Sequence, residues 1–365
     1  MIIHLRKSGP SGVVLRILQL VAIGGRGGTG ASVVGLARAL VRAGHEVWVG
    51  CWSHSQVARA LGKERGIRLV TDLNLSAGFR PFKIAADLIR LVGLVRKERI
   101  TVVHSHSSPD TKLALLLKLI FPGLKFVRTR HVPVAIKDSL QCSFADAIVA
   151  VSHAVKRDMG IRCSSKAKVV YDAFCGSVGS PRKEREFVVR NVSRYSRVKG
   201  LEFFLLALAE LNRLISFSAD VVGRMAVDEN PYYVKLKALR RDLGLEGVLD
   251  LKGFAEDIDY LYGADVLALT SVSSEGSSRV AIEATLYGVP LVFHKVGAVG
   301  EICRHAKTGF GVDPGDVERM AFYLLSLWRY PVLKKKMSVN AKTMAENFSC
   351  ERLVRDYQRV YGYEG

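Results

Sequence analysis

Short, almost wholly apolar runs alternate along this chain with longer segments that are apolar on one side only, and that alternation admits few folds. The runs include Val14 to Ile23, Val47 to Cys51, Ile100 to Val103, Leu124 to Thr129, Phe187 to Val192, Ala219 to Gly223, Val248 to Leu251, Ala264 to Leu269 and Gly288 to Phe293. Aliphatic runs of about four to eight residues without a polar alternate read as strands buried on both faces, as in a parallel sheet covered by helices. Ala31 to Ala43, Pro81 to Arg99, Asp110 to Phe121, Asn230 to Leu243, Val317 to Trp328 and Leu333 to Phe348 read as the helices. Strand and helix by turns, in two halves, predict an α/β protein of two doubly wound, Rossmann-like domains facing each other across a cleft. A length of 365 residues is enough for two separate cores. The domains are expected over 1–176 and 186–345, with a linker over 177–185 and a final amphipathic segment over 346–365.

Composition narrows the class. With 49% hydrophobic and 24% charged residues the chain is globular and neither disordered nor fibrous. Arg16 and Gln19 interrupt the first apolar run, and Lys118 breaks the densest one, so neither a signal peptide nor a membrane span is expected. Six cysteines (Cys51, Cys142, Cys163, Cys175, Cys303 and Cys350) are scattered without CxxC spacing. They predict neither a zinc site nor a disulfide framework, and a reducing cytoplasm. The formal charge is +20, and it is uneven: residues 1–175 hold 27 basic and 10 acidic side chains, residues 176–365 hold 27 and 24. A cationic half suits nucleic acid, an anionic membrane or a phosphorylated substrate. Nucleic acid is disfavoured, because aromatics interleaved with Lys and Arg in a reading motif are absent.

The stretch Ser274 to Ala284 carries two carboxylates, Glu275 and Glu283, between a strand and a helix expected from Ser277 onward. Glu275 then lies in the loop and Glu283 about two turns into the helix, too far apart to share a proton. Backbone N–H groups of Gly276, Ser277 and Ser278 at the helix entrance suit a phosphate, and the carboxylates suit hydroxyl groups such as those of a ribose. Gly288-Val289-Pro290, Val296-Gly297-Ala298-Val299-Gly300-Glu301 and Lys307-Thr308-Gly309-Phe310-Gly311-Val312 follow. This segment resembles the donor-binding half of family 4 retaining glycosyltransferases of the B-type fold, with their Glu-x7-Glu, Gly-x-Pro-Val, Gly-Gly-x-x-Glu and Thr-Gly-x-x-Val elements.

Nearer the amino terminus, Gly25-x-Gly27-x-x-Gly30 satisfies a dinucleotide fingerprint. The strand after it ends Val49-Gly50-Cys51-Trp52-Ser53-His54, without the acid that would hold an adenosine ribose, so a nicotinamide enzyme is the weaker alternative. In the resembled family a glycine loop in this place lies by the acceptor and donor phosphates, which implies Gly27, Gly28 and Thr29. Period-two spacing sets His104 and His106 on one side of an extended chain; a metal is conceivable, but no further ligands stand at a recognisable interval. Packing or hydrogen bonding is the default for His104. Arg128-Thr129-Arg130-His131 is similar to a segment of family 4 enzymes that build bacterial lipopolysaccharide, where a histidine stands by the transferred sugar. A buried core histidine is the other reading of His131.

Ser193-Arg194-Tyr195-Ser196-Arg197-Val198-Lys199-Gly200 is similar to the family's Gly-Arg-Leu-x-x-x-Lys-Gly, with Ser193 and Tyr195 as departures. The resemblance implies that Arg194 and Lys199 stabilise a departing diphosphate, that Glu275 contacts sugar or phosphates, and that Glu283 binds the nucleotide ribose. It implies front-side attack with retention, no metal and no cofactor. The nucleotide-diphosphate sugar is a substrate, and the acceptor a lipid-linked or phosphorylated saccharide at an anionic membrane. Soluble-acceptor enzymes of the same family, of the glycogen or sucrose type, share the site but need no basic domain.

Overall fold

The computed structural model describes residues 14–24, 27–75, 80–133, 140–176, 186–223, 230–253, 258–273 and 275–363. The linker expected over 177–185 lies outside them, as do Gly25, Arg26, Phe254 and Ser274. Two compact units result, Met1–Cys175 with Ser349–Gly365, and Gly176–Phe348.

The first unit runs β1 (Arg16–Leu20), α1 (Gly28–Arg42), β2 (Glu46–Gly50), α2 (Gln56–Leu61), β3 (Ile67–Val70), α3 (Pro81–Glu98), β4 (Val102–Ser105), α4 (Ser108–Ile120), β5 (Lys125–Arg130), α5 (Leu140–Phe144), β6 (Ala147–Ala150), α6 (His153–Arg157), α7 (Ile161–Lys166) and β7 (Ala167–Val169). The second holds β8 (Val188–Val192), α8 (Leu201–Asn212), β9 (Ser218–Val222), α9 (Pro231–Asp242), β10 (Leu249–Lys252), β11 (Val266–Leu269), α10 (Arg279–Tyr287), β12 (Leu291–His294), α11 (Val299–Ile302), β13 (Gly309–Val312), α12 (Val317–Arg329) and α13 (Pro331–Ala345). A last helix, α14 (Cys350–Val360), belongs to the first unit.

Both sheets are parallel throughout, ordered β3-β2-β1-β4-β5-β6-β7 and β10-β9-β8-β11-β12-β13. In each, the order reverses beside the unit's first strand, between β1 and β4 and between β8 and β11. Loops leaving the carboxyl ends of those strands therefore diverge and leave a crevice.

Local chemistry fixes the elements that border these crevices. Ser107 and Asp110 close a reciprocal capping box on α4, and Asp110 also accepts from Ala22 N at 3.0 Å, tying the loop after β1 to the loop after β4. Ser152 caps α6 by accepting from Val155 N at 3.1 Å. Leu353 and Val360 of α14 are buried in the first core beside α1; each such side chain contributes about 1.5–3 kcal/mol. The pattern does not reveal α8, because Leu201, Phe204, Leu205, Ala207, Leu208 and Leu211 bury it on several sides and hide its period.

The cysteines depart from expectation. Cys142 is joined to Cys163 and Cys175 to Cys350, with Cα–Cα distances of 5.2 and 5.1 Å. Pairing depends on Cα atoms coming within about 7 Å, which only the tertiary fold decides for partners 21 and 175 residues apart. A reducing compartment, inferred from the lack of a cysteine framework, loses that support.

Candidate active site

In the second unit, the loop after β8 ends in a 3-10 turn at Arg197–Lys199, and the loop after β11 carries Thr270 to Ser278. Two bonds stitch them together: Thr270 Oγ1 donates to the Lys199 carbonyl at 2.9 Å, and Val272 N to the Val198 carbonyl at 3.0 Å. Gly200, at φ +54°, makes this possible, since a Cβ there would overlap the Thr270 carbonyl. Lys199 forms an ion pair with Glu275, and its Nζ lies 3.4 Å from Ser271 Oγ. Ser271 Oγ donates to the same carboxylate at 2.6 Å. Glu275 is held from behind as well, its carbonyl accepting from Ala298 N at 2.9 Å, while Gly297 leaves no room for a Cβ.

Arg194 is exposed and has no ion pair among the described residues. Tyr195, where the family pattern has Leu, is buried, with its hydroxyl 3.0 Å from the carbonyls of Val221 and Lys252. It anchors the loop that carries Arg194.

Helix α10 begins at Arg279, two residues later than expected, so Glu283 lies about one turn inside it. Tyr260 donates its hydroxyl proton to Glu283, whose other oxygen is 3.4 Å from Arg279 Nη2. The two carboxylates, 7% and 6% exposed, thus have separate partners and form no dyad. Ser277 Oγ, Arg279 Nη1 and Ser196 Oγ are buried without a partner among the described residues. Such groups are costly to bury, and Ser277 and Arg279, at the positive end of α10, suit an anion.

In the first unit, Gly27 caps α1 with an extended backbone and Gly28 opens it; both are exposed, Thr29 is half-buried, and the first turn holds no acid. His104 lies inside β4 and not after it, with Nε2 2.7 Å from Thr129 Oγ1 and Nδ1 2.9 Å from Tyr361 Oη. Its hydrogen bonds are satisfied, so it is a core residue. The His106 ring stands 4.1 Å from that of His104, and its Nδ1 is 3.2 Å from His131 Nε2. His106 Nε2 has no partner among the described residues. A cavity of about 10 Å³, the room of one water, is lined by Ser32, Leu36, His106, His131, Asp172 and Tyr357. Burial holds His104 down to about 3 and His131 down to about 4, while Asp172 pulls His131 upward. Burial raises the Asp110 carboxyl to about 7 against three hydrogen bonds that favour its charge.

Lys199 is brought to Glu275, and His131 to His106. Sequence reasoning missed Ser271, Tyr260 and Tyr357 as partners, since no local motif links them to the residues they hold. Among the described residues, no group of three His, Cys, Asp or Glu side chains could hold a metal ion.

The sequence and the fold both have counterparts among known proteins. The model of Glycosyltransferase Family 4 matches residues 26–173, and that of Glycosyl transferases group 1 matches residues 178–344. N-acetyl-alpha-D-glucosaminyl L-malate synthase of Bacillus anthracis is 22% identical over 298 residues, 74% of this chain and 77% of that protein. A glycosyltransferase from Rickettsia africae superposes with a TM-score of 0.84 at 22% identity, covering 95% of this chain and 98% of its own. Anabaena HepE, solved in complex with UDP, does so with a TM-score of 0.80 at 20% identity, over 96% of this chain and all of its own. The fold is that of the B-type glycosyltransferases. The chain belongs to family 4, the group 1 glycosyltransferases. Membership sets aside the nicotinamide reading of the glycine loop.

Proposed function

We propose that this glycosyltransferase moves a hexosyl group, with retention, from a nucleotide-diphosphate donor to a lipid-linked or phosphorylated saccharide, in lipopolysaccharide or cell-surface glycan synthesis. The observation that carries the reading is the pairing of Lys199 with Glu275 across the β8/β11 crevice, beside the unpartnered donors at the start of α10. Arg194 and Lys199 face the departing diphosphate, and preorganised cations act where negative charge develops. Gly276, Ser277 and Ser278 hold phosphate; Glu283 accepts from the ribose; His131 orients the sugar; and Gly27, Gly28 and Thr29 border the acceptor. Front-side attack, with the leaving phosphate taking the acceptor proton, accounts for retention without a protein nucleophile. The similar fold of Anabaena HepE, solved with UDP, supports a nucleotide-sugar donor.

The surplus charge of residues 1–175 supports an acceptor held at an anionic membrane, on its cytoplasmic face, over a soluble acceptor of the glycogen or sucrose type. The attachment proposed is peripheral and carried by charge; no described helix is long and apolar enough to cross a membrane.

Thermal stabilisation by a panel of UDP-, GDP- and ADP-sugars tests the donor class. A binder at a hundredfold its dissociation constant adds about 2.7 kcal/mol. Stabilisation by none of them, with no sugar transfer, removes the proposal.

A further inference from the structure

The corner between α12 and α13 presents five consecutive exposed residues, Trp328-Arg329-Tyr330-Pro331-Val332. Trp328 is 42% exposed, Tyr330 54% and Val332 84%, and it is their contiguity that marks the corner as a contact surface. The corner is built firmly. Helix α12 stops at Arg329, Tyr330 (φ −118°, ψ 79°) leaves the helix, and Pro331 opens α13. Leu327 and Met337, on either side of it, are buried in the core of the second unit.

Charge is concentrated in the same place. Residues 328–342 contain five Lys and Arg and no Asp or Glu, although 176–365 as a whole carries only three more basic than acidic side chains. Lys334 is paired with Asp265, while Arg329, Lys335 and Lys336 are exposed. Indole and phenol rings have an apolar body and a polar tip and favour the headgroup level of a bilayer, and neighbouring cations favour an anionic leaflet. A corner that joins exposed apolar rings and cations is matched by a partner that supplies apolar depth and negative charge together.

We propose that this corner is a second membrane contact, seating Trp328, Tyr330 and Val332 at the interface of an anionic bilayer while Arg329, Lys335 and Lys336 meet its headgroups. The inference deepens the membrane attachment proposed above, which rests on the first unit, and is independent of the donor.

The test uses the full chain with vesicles of phosphatidylcholine alone and of phosphatidylcholine with phosphatidylglycerol. Three variants are compared: Trp328→Ser with Tyr330→Ser and Val332→Ser; Lys335→Ala with Lys336→Ala; and, on α3, Arg96→Ala with Lys97→Ala. Partitioning into the anionic vesicles should fall about fivefold for each corner cation removed. The wild-type emission should shift to the blue on binding and be quenched by brominated lipid, and Trp328→Phe should abolish both effects. If the α3 variant binds less and both corner variants bind as wild type does, the inference fails while the earlier attachment stands. If only the corner variants lose binding, the inference stands and the α3 attachment falls. Equal binding to neutral vesicles, or a wild-type dimer that the corner variants dissociate in light scattering, overturns the proposal and makes the corner a contact of another kind.

Discussion

Tyr260 donates its hydroxyl proton to one oxygen of Glu283, while Arg279 stands 3.4 Å from the other, so the proposed ribose acceptor is oriented before a nucleotide arrives. Glu283→Ala should abolish transfer. Tyr260→Phe should leave the fold intact and raise the donor KM roughly 10- to 100-fold with little change in kcat, the range for a hydrogen bond to a charged group. Steady-state kinetics in the donor decide it, and an unchanged KM removes Tyr260 from the site.

Lys199 bears on both stability and catalysis, because Glu275 is buried beneath it. Lys199→Ala should abolish transfer and also lower Tm, since an uncompensated buried carboxylate is costly. Adding Glu275→Gln should recover much of the Tm but none of the activity. Recovery of both would make the pair structural.

Neutral imidazoles at His104, His106 and His131 predict a loss of stability in acid. Their folded pKa values are depressed, to about 3 for His104 and about 4 for His131, below the ordinary 6.5. At these three sites the unfolded chain therefore binds more protons below pH 6.5, which outweighs the one extra proton held by the folded Asp110 carboxyl, and stability present above that pH is lost as pH falls toward 4, by on the order of a few kcal/mol. Denaturant melts at pH 7.5 and 4.5 measure it, and His104→Asn should flatten the dependence. A wild type as stable at pH 4.5 as at 7.5 contradicts the prediction.

Transfer is expected to be independent of metal, because the Asp-x-Asp of the sequence, Asp257-Ile258-Asp259, stands five residues beyond β10 and not at a strand end, while Arg194 and Lys199 serve the phosphates. Treatment with EDTA should leave the rate unchanged. Activity that vanishes with the chelator and returns with Mn²⁺ or Mg²⁺ shows the reverse.

Helix α3 buries only Asp87, Leu91 and Val95, and exposes Arg96 and Lys97 together with Phe82 and Ile89. Binding of the chain to anionic vesicles should fall steeply as salt shortens the Debye length below about 10 Å. Co-sedimentation across a salt series reads this out, and binding insensitive to salt would assign the attachment to apolar burial.

The sequence by itself determined the two parallel sheets, because unbroken runs such as Val266 to Leu269 can be satisfied only where both faces are covered. It also placed Arg194, Lys199 and Glu275 in loops at strand ends and Glu283 in the helix that follows, since local punctuation by Gly and Ser marks where strands stop. Partnership was beyond it. The ion pair of Lys199 with Glu275 spans 76 residues, the hydrogen bond of His104 with Tyr361 spans 257, and the Cys175–Cys350 link spans 175. Hydrophobic periodicity fixes the face a side chain takes within its own element, but not which distant element arrives opposite it. That is settled by strand order and by the return of α14 to the first unit, so only the tertiary structure could set Tyr260 against Glu283 and leave Ser277 and Arg279 with polar atoms to spare.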